Sequence, residues 1–198
     1  MKDDDDRGQS PRRKVVRPLT RTLLDELALA YVARFATSGG RLSDYLKRKI
    51  RERGWDDEST ADVPAVVERM VGCGYVDDAG FAQARGAGMM RRGFGARRIA
   101  ETLTRDGIEA PLVAQAIGTA HERRMAALAF ARRRRFGPFG PGSAQTGDSG
   151  KSRLDPATRG RQVAAMLRAG HPFTAASALI DATDDVAAQE WVDEADDS

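Results

Sequence analysis

At 198 residues, with 41% apolar, 31% charged and only 6% aromatic side chains, the chain suits a soluble body or a string of small helical units and excludes deep aromatic-lined pockets. One cysteine rules out an intrachain disulfide, and two isolated histidines offer no metal-ligand spacing. The net charge of +3 hides a segregation of sign: residues 83–135 hold twelve arginines against four carboxylates, whereas residues 181–198 hold eight carboxylates and no cation.

In chain order, residues 1–19 carry Asp3 to Asp6 and then Arg7, Arg12, Arg13, Lys14 and Arg17, and read as a charged, disordered arm. Leu24, Leu27, Ala28, Tyr31 and Phe35 then recur at three- and four-residue intervals and predict a first helix, with Thr22 and Asp25 as its capping box. Gly39-Gly40 is expected to break it. Leu42, Tyr45, Leu46 and Ile50 resume the pattern as a second helix up to Gly54, and Asp62 caps a third that carries Val63, Val66, Val67, Met70 and Val71. Gly72-Cys73-Gly74 ends that helix and predicts a small, buried Cys73. These elements make a first repeat, residues 20–76.

A second repeat, residues 77–120, has Asp77 as a cap before Phe81, then Gly93-Phe94-Gly95, a helix from Arg97 to Arg105 closed by Gly107, and another from Pro111. A third, residues 121–183, runs from His121 to Arg135, crosses a Gly/Pro/Ser-rich loop at 137–152, and continues through the Asp155-Pro156 cap to Gly170 and Pro172. Residues 184–198 read as an acidic, disordered tail. Superposing Gly54, Gly107 and Gly170 aligns Ile50, Leu103 and Met166 before them, and Trp55, Ile108 and His171 after them. An internal repeat follows. No segment alternates as a strand does, so the expected architecture is all-α: three tandem three-helix repeats in an elongated, curved array, each too small to bury its apolar stripe alone.

Gly74-Tyr-Val-Asp-Asp-Ala-Gly-Phe81, Arg91-Arg-Gly-Phe-Gly-Ala-Arg-Arg-Ile99 and Thr104-Arg-Asp-Gly-Ile108 resemble the central signature of the RecX family. In that signature a glycine-tyrosine-leucine-aspartate-aspartate segment leads through a basic helix into a glycine-aromatic-glycine-x-arginine-arginine-isoleucine turn. Tyr31, Arg34 and the stretch Leu46 to Gly54 extend the resemblance, which covers about Leu24 to Ala182. It implies binding in the groove of the RecA filament on single-stranded DNA, with suppression of strand exchange and co-protease activity. The chain departs from the family at Gly86, Ala87 and Gly88, where bulkier residues are common. Each helical glycine costs roughly 1 kcal/mol against alanine, so this helix is expected to be bent or loosely held.

Two basic groups are the candidate RecA- or DNA-contacting residues: Arg91, Arg92, Arg97 and Arg98 around the Gly-Phe-Gly turn, and Arg132, Arg133, Arg134 and Arg135. A guanidinium grips a carboxylate or phosphate through two parallel hydrogen bonds. The competing reading makes them solvated faces of amphipathic helices. Tyr75, Phe81, Phe94, Ile99 and Leu103 are expected to be structural, Asp77 with Asp78 a helix cap, His121 a helix-surface residue and His171 a loop residue. Neither a phosphate-cradling loop nor a nucleophile elbow occurs, so no catalytic residue, metal or cofactor is expected. The expectation is a cytoplasmic monomer without membrane contact, since no apolar run nears the roughly 18 residues of a span. An alternative is a helix-turn-helix protein reading duplex DNA, although no helix joins Asn or Gln to flanking cations. A scaffolding repeat would not need such segregated charge.

Overall fold

A computed structural model describes residues 17–140 and 154–195. Among these residues the chain is all-helical: α1 (Arg21–Val32), α2 (Gly39–Arg53), α3 (Val63–Gly72), α4 (Asp78–Arg91), α5 (Ala96–Arg105), α6 (Ala110–Ala116), α7 (Ala120–Arg134), α8 (Pro156–Arg168), α9 (Phe173–Ile180) and α10 (Asp185–Asp193). A single 3-10 turn, Gly137–Phe139, follows α7. No helix among the described residues is long and apolar enough to cross a membrane.

Helices α1–α3, α4–α6 and α7–α9 form three tandem repeats in an elongated, curved array, each with its own core. Leu24, Leu42, Leu46 and Val66 centre the first, Ala82, Ile99 and Leu103 the second, and Leu128, Met166 and Leu179 the third. A unit of this size exposes too much of its surface to stand alone, and stacking against its neighbour offsets that deficit.

Several expectations change. The disordered arm ends earlier than residue 19: Leu19 is fully buried and pairs its backbone with Gly54 and Asp56. The cap of α1 is Thr20, whose hydroxyl accepts from Leu23 N–H at 3.4 Å, and Asp25 pairs instead with Arg69. The beginning of the 137–152 loop is ordered, because Gly137 donates to Gln162 Oε1 at 2.9 Å and lies against Leu179 and Ile180. The acidic tail is a helix as far as Asp193. Asp184 caps α10 by accepting from Ala187 N–H at 2.8 Å, and Ala188 and Val192 sit in the third core. Its seven carboxylates masked an ordinary apolar stripe, Ala188-Trp191-Val192, at helical spacing. Residues 1–16, 141–153 and 196–198, with the rest of the expected arm, loop and tail, lie outside the described residues.

Tyr75 is not a core anchor: it is 56% exposed, and the next residue, Val76, is buried in its place. Gly74 has φ of 73° and the Tyr75 N–H reaches back to Met70 O, a helix-ending turn that swings the ring outward. Cys73 is exposed as well. Helix α4 runs unbroken through Gly86 and Gly88. A Cβ at Gly86 would lie 2.3 Å from Ala116 O, so this glycine permits the close approach of α6.

Gly39-Gly40 begins a helix instead of breaking one, and the reason reveals how the repeats are joined. Gly40 lies against Gly107 and Gly95 against Gly170, each pair too close for a Cβ on either partner. The start of α2 is thereby seated on the end of α5, and the start of α5 on the end of α8. These three helices are stacked head to tail, and at the joint of α5 with α8 the carbonyls of one terminus meet the amides of the next.

Candidate functional site

The Gly93-Phe94-Gly95 turn is the hinge point of the second joint. Gly95 N–H donates to Ala169 O at 2.9 Å and Arg97 N–H to Gly170 O at 3.3 Å. Gly93 packs against the Phe130 backbone of α7. Its carbonyl lies 3.0 Å from His171 Nε2, and since a carbonyl only accepts, that nitrogen carries the proton. His171 lies in the connection between α8 and α9, as expected of a loop residue, but is buried at the joint, 3% exposed. Burial holds its imidazolium below the ordinary histidine range, with the Gly93 carbonyl pulling partly the other way.

The candidate arginines surround this joint. Arg91 and Arg92 end α4, and the Arg92 guanidinium lies 5.8 Å from the Phe94 ring, which itself rests on the second core. On α7, the guanidiniums of Arg133 and Arg134 lie 5.8 and 5.7 Å from the Phe130 ring. Gly93 touches Phe130, so the backbone at the end of α4 meets α7 about one turn before Arg133 and Arg134, while the Arg92 side chain also lines the groove shared with Thr37, Tyr75, Phe81 and Arg85. Cations at a helix C-terminus also offset its partial negative charge.

The other candidates differ. Arg97 is partly committed: one Nη donates to Leu167 O at 2.7 Å and the other lies 3.7 Å from Glu101. Arg132 donates to Gln189 at 3.2 Å and lies over Phe139. Arg91, Arg98 and Arg135 are exposed. Arg135 sits in the left-handed region, φ 56° and ψ 50°, where it ends α7 as a glycine usually would. Ile99 and Leu103 are fully buried and Phe81 is half-buried against the second core. Asp77 caps α4 by accepting from Gly80 N–H at 2.9 Å, and Asp78 reaches across the first joint to accept from Gly39 N–H at 2.8 Å.

Sequence reasoning missed a second basic feature. Arg97, Arg123 and Arg124 border a groove of about 680 Å³ beside the second joint, with Trp191 of α10 in its wall. Arg123 and Arg124 stood in the sequence as an ordinary charged pair. Their importance depended on α10, which composition had assigned to a tail.

Three comparisons with known proteins bear on this arrangement. Residues 77–117 match the family model described as RecX, second three-helix domain. The chain is 32% identical over 193 residues to the regulatory protein RecX of Myxococcus xanthus (strain DK1622), covering 90% of this chain and 94% of that one. The crystal structure of RecX from Lactobacillus salivarius shares the fold, with a TM-score of 0.56 and 14% identity across 85% of this chain and 94% of that chain.

Proposed function

The chain belongs to the RecX family of regulatory proteins, and from that premise we propose that it binds the RecA filament on DNA and inhibits its recombinase and co-protease activities. The observation that carries the reading is the seam between the second and third repeats, where Gly93, next to Arg92, touches Phe130 and the Arg133 and Arg134 guanidiniums lie over the Phe130 ring. Arg91, Arg98, Arg132 and Arg135 belong to the same two basic groups. An elongated basic array can follow an acidic, helically repeating polymer through many weak contacts, and the same guanidiniums can meet DNA phosphate weakly as counterions are released. The protein acts in this reading as a cytoplasmic monomer, without a cofactor, and regulates without catalysing.

The helix-turn-helix alternative requires a recognition helix whose N-terminal residues reach base edges. Helix α5, whose first turn carries Arg97 and Arg98, has its N-terminus seated on the end of α8, which leaves that geometry unsupported there. DNA-dependent ATP hydrolysis by RecA separates the two readings. Inhibition at or below stoichiometric amounts, weakening as salt rises, is the expected result. Unchanged hydrolysis at low salt, with tight binding to one duplex sequence, would favour the alternative.

A further inference from the structure

We infer that the groove between the second repeat and α10 is a docking site for an acidic peptide segment that also carries a large apolar side chain. Three observations converge on it. The first is unspent positive charge. Arg69, Arg85 and Arg159 each face a carboxylate, from Asp25, Asp106 and Asp181. At the groove, Arg123 is tethered to the Gly118 carbonyl at 2.8 Å and Arg124 to the Trp191 carbonyl. Neither has a carboxylate within 4.0 Å among the described residues. A guanidinium has five N–H donors, so one tether fixes its orientation and leaves others for an incoming carboxylate. Arg97 is tethered through Leu167 O too, and differs from them in lying 3.7 Å from Glu101.

The second observation is the placement of these cations. Arg123 and Arg124 follow the first turn of α7, which carries Glu122, at the end of a helix where the dipole does not reward positive charge. Thr174 and Ala175, in the first turn of α9, also line the groove, and Pro172 gives that helix no side-chain cap. The local field thus favours an anion beyond what the arginines alone supply.

The third is the character of the walls, which decides between classes of partner. Ala120, Leu167 and Ala175 provide an apolar floor for a side chain such as Leu or Phe. The Trp191 ring that a nucleic-acid base would need is occupied by the Arg124 guanidinium, 4.6 Å from its centroid. A peptide whose carboxylates meet the arginines and whose apolar side chain covers the floor fits better than a stacked single strand.

The inference is independent of the filament reading, and its test contains no recombinase, so either can fail alone. In the full chain carrying Trp55→Phe, Trp191 is the fluorescent reporter, titrated with a short peptide of alternating glutamate and leucine. The emission is expected to shift saturably, while a lysine-leucine counterpart leaves it unchanged. Arg123→Glu is expected to weaken binding at least about tenfold. Thr174→Glu places a carboxylate in the first turn of α9, where it favours folding, and should weaken the peptide by a similar factor without loss of thermal stability. Binding untouched by both substitutions, an equal response to the lysine peptide, or no response to any peptide overturns the proposal. A shift caused by oligothymidylate and not by the acidic peptide overturns it in favour of nucleic acid.

Discussion

The two joints of the array use one geometric idea with different chemistry. At the second joint, between α5 and α8, backbone amides meet backbone carbonyls directly, through Gly95 to Ala169 and Arg97 to Gly170, with His171 buried beneath the turn. At the first, between α2 and α5, the link is made by side chains. Ser38 Oγ–H donates to Asp106 O, Asp78 accepts from Gly39 N–H, and Arg41 lies 4.0 Å from Asp106. A joint built on backbone tolerates little change at its glycines. One built on side chains can be weakened in steps.

The sharpest way to separate them is Gly95→Ala, whose Cβ would fall 2.3 Å from the Gly170 carbonyl group. It should cost about 2–4 kcal/mol in urea unfolding, more than ordinary overpacking because bonded backbone must part. Hydrogen-exchange protection should fall first in the third repeat. At the first joint Gly40→Ala meets Gly107 Cα at 2.6 Å and should cost about 1–3 kcal/mol. Equal costs with protection lost uniformly would show that the joints do not differ as described.

Ser38→Ala tests the side-chain joint. It removes both the bond to Asp106 O and the cap of α2, where the hydroxyl accepts from Arg41 N–H at 3.2 Å, and should cost about 1 kcal/mol. His171 offers a pH test of the second joint. Its folded pKa is depressed by burial, so the unfolded chain takes up a proton first. Stability from this residue is complete above about pH 6.5 and falls as pH drops below it. Melting from pH 7 to pH 5 should show that loss, and His171→Ile, which copies Ile108 of the second repeat, should remove it. A loss of the same size in the variant would assign the effect elsewhere. The smallest effect belongs to α4. Nothing crowds a Cβ at Gly88 except Arg91 Nη2 at 3.8 Å, so Gly88→Ala should add about 0.5–1 kcal/mol by helix propensity, whereas Gly86→Ala should destabilise.

Much of the fold was legible because amphipathic spacing and caps are local. Asp62, Asp77 and Asp155 announced their helices, and the aligned Gly54, Gly107 and Gly170 all have positive φ, 81°, 80° and 96°. The same glycines also hid information. Gly40 and Gly95 look like helix breakers until Gly107 and Gly170 lie opposite them, a contact no local pattern records. Tyr75 misled because an aromatic after a glycine can face either way, and the turn at Gly74 decided it. The segment around Trp191 misled through composition: the carboxylates of α10 outweighed the three apolar residues that seat it, Ala188, Trp191 and Val192. The candidate arginines were visible as clusters, but which of them border the seam depended on Gly93 meeting Phe130.

The most direct test of the account is the single-stranded-DNA-dependent ATPase of RecA, titrated with this protein and with a variant carrying Arg91→Ala, Arg92→Ala, Arg133→Ala and Arg134→Ala. The wild-type chain is expected to suppress hydrolysis near stoichiometry, and the folded variant to need at least about tenfold more protein with a shallower salt dependence. Equal inhibition by both, with the same response to salt, would contradict the claim that the seam between the second and third repeats is where this protein meets its filament.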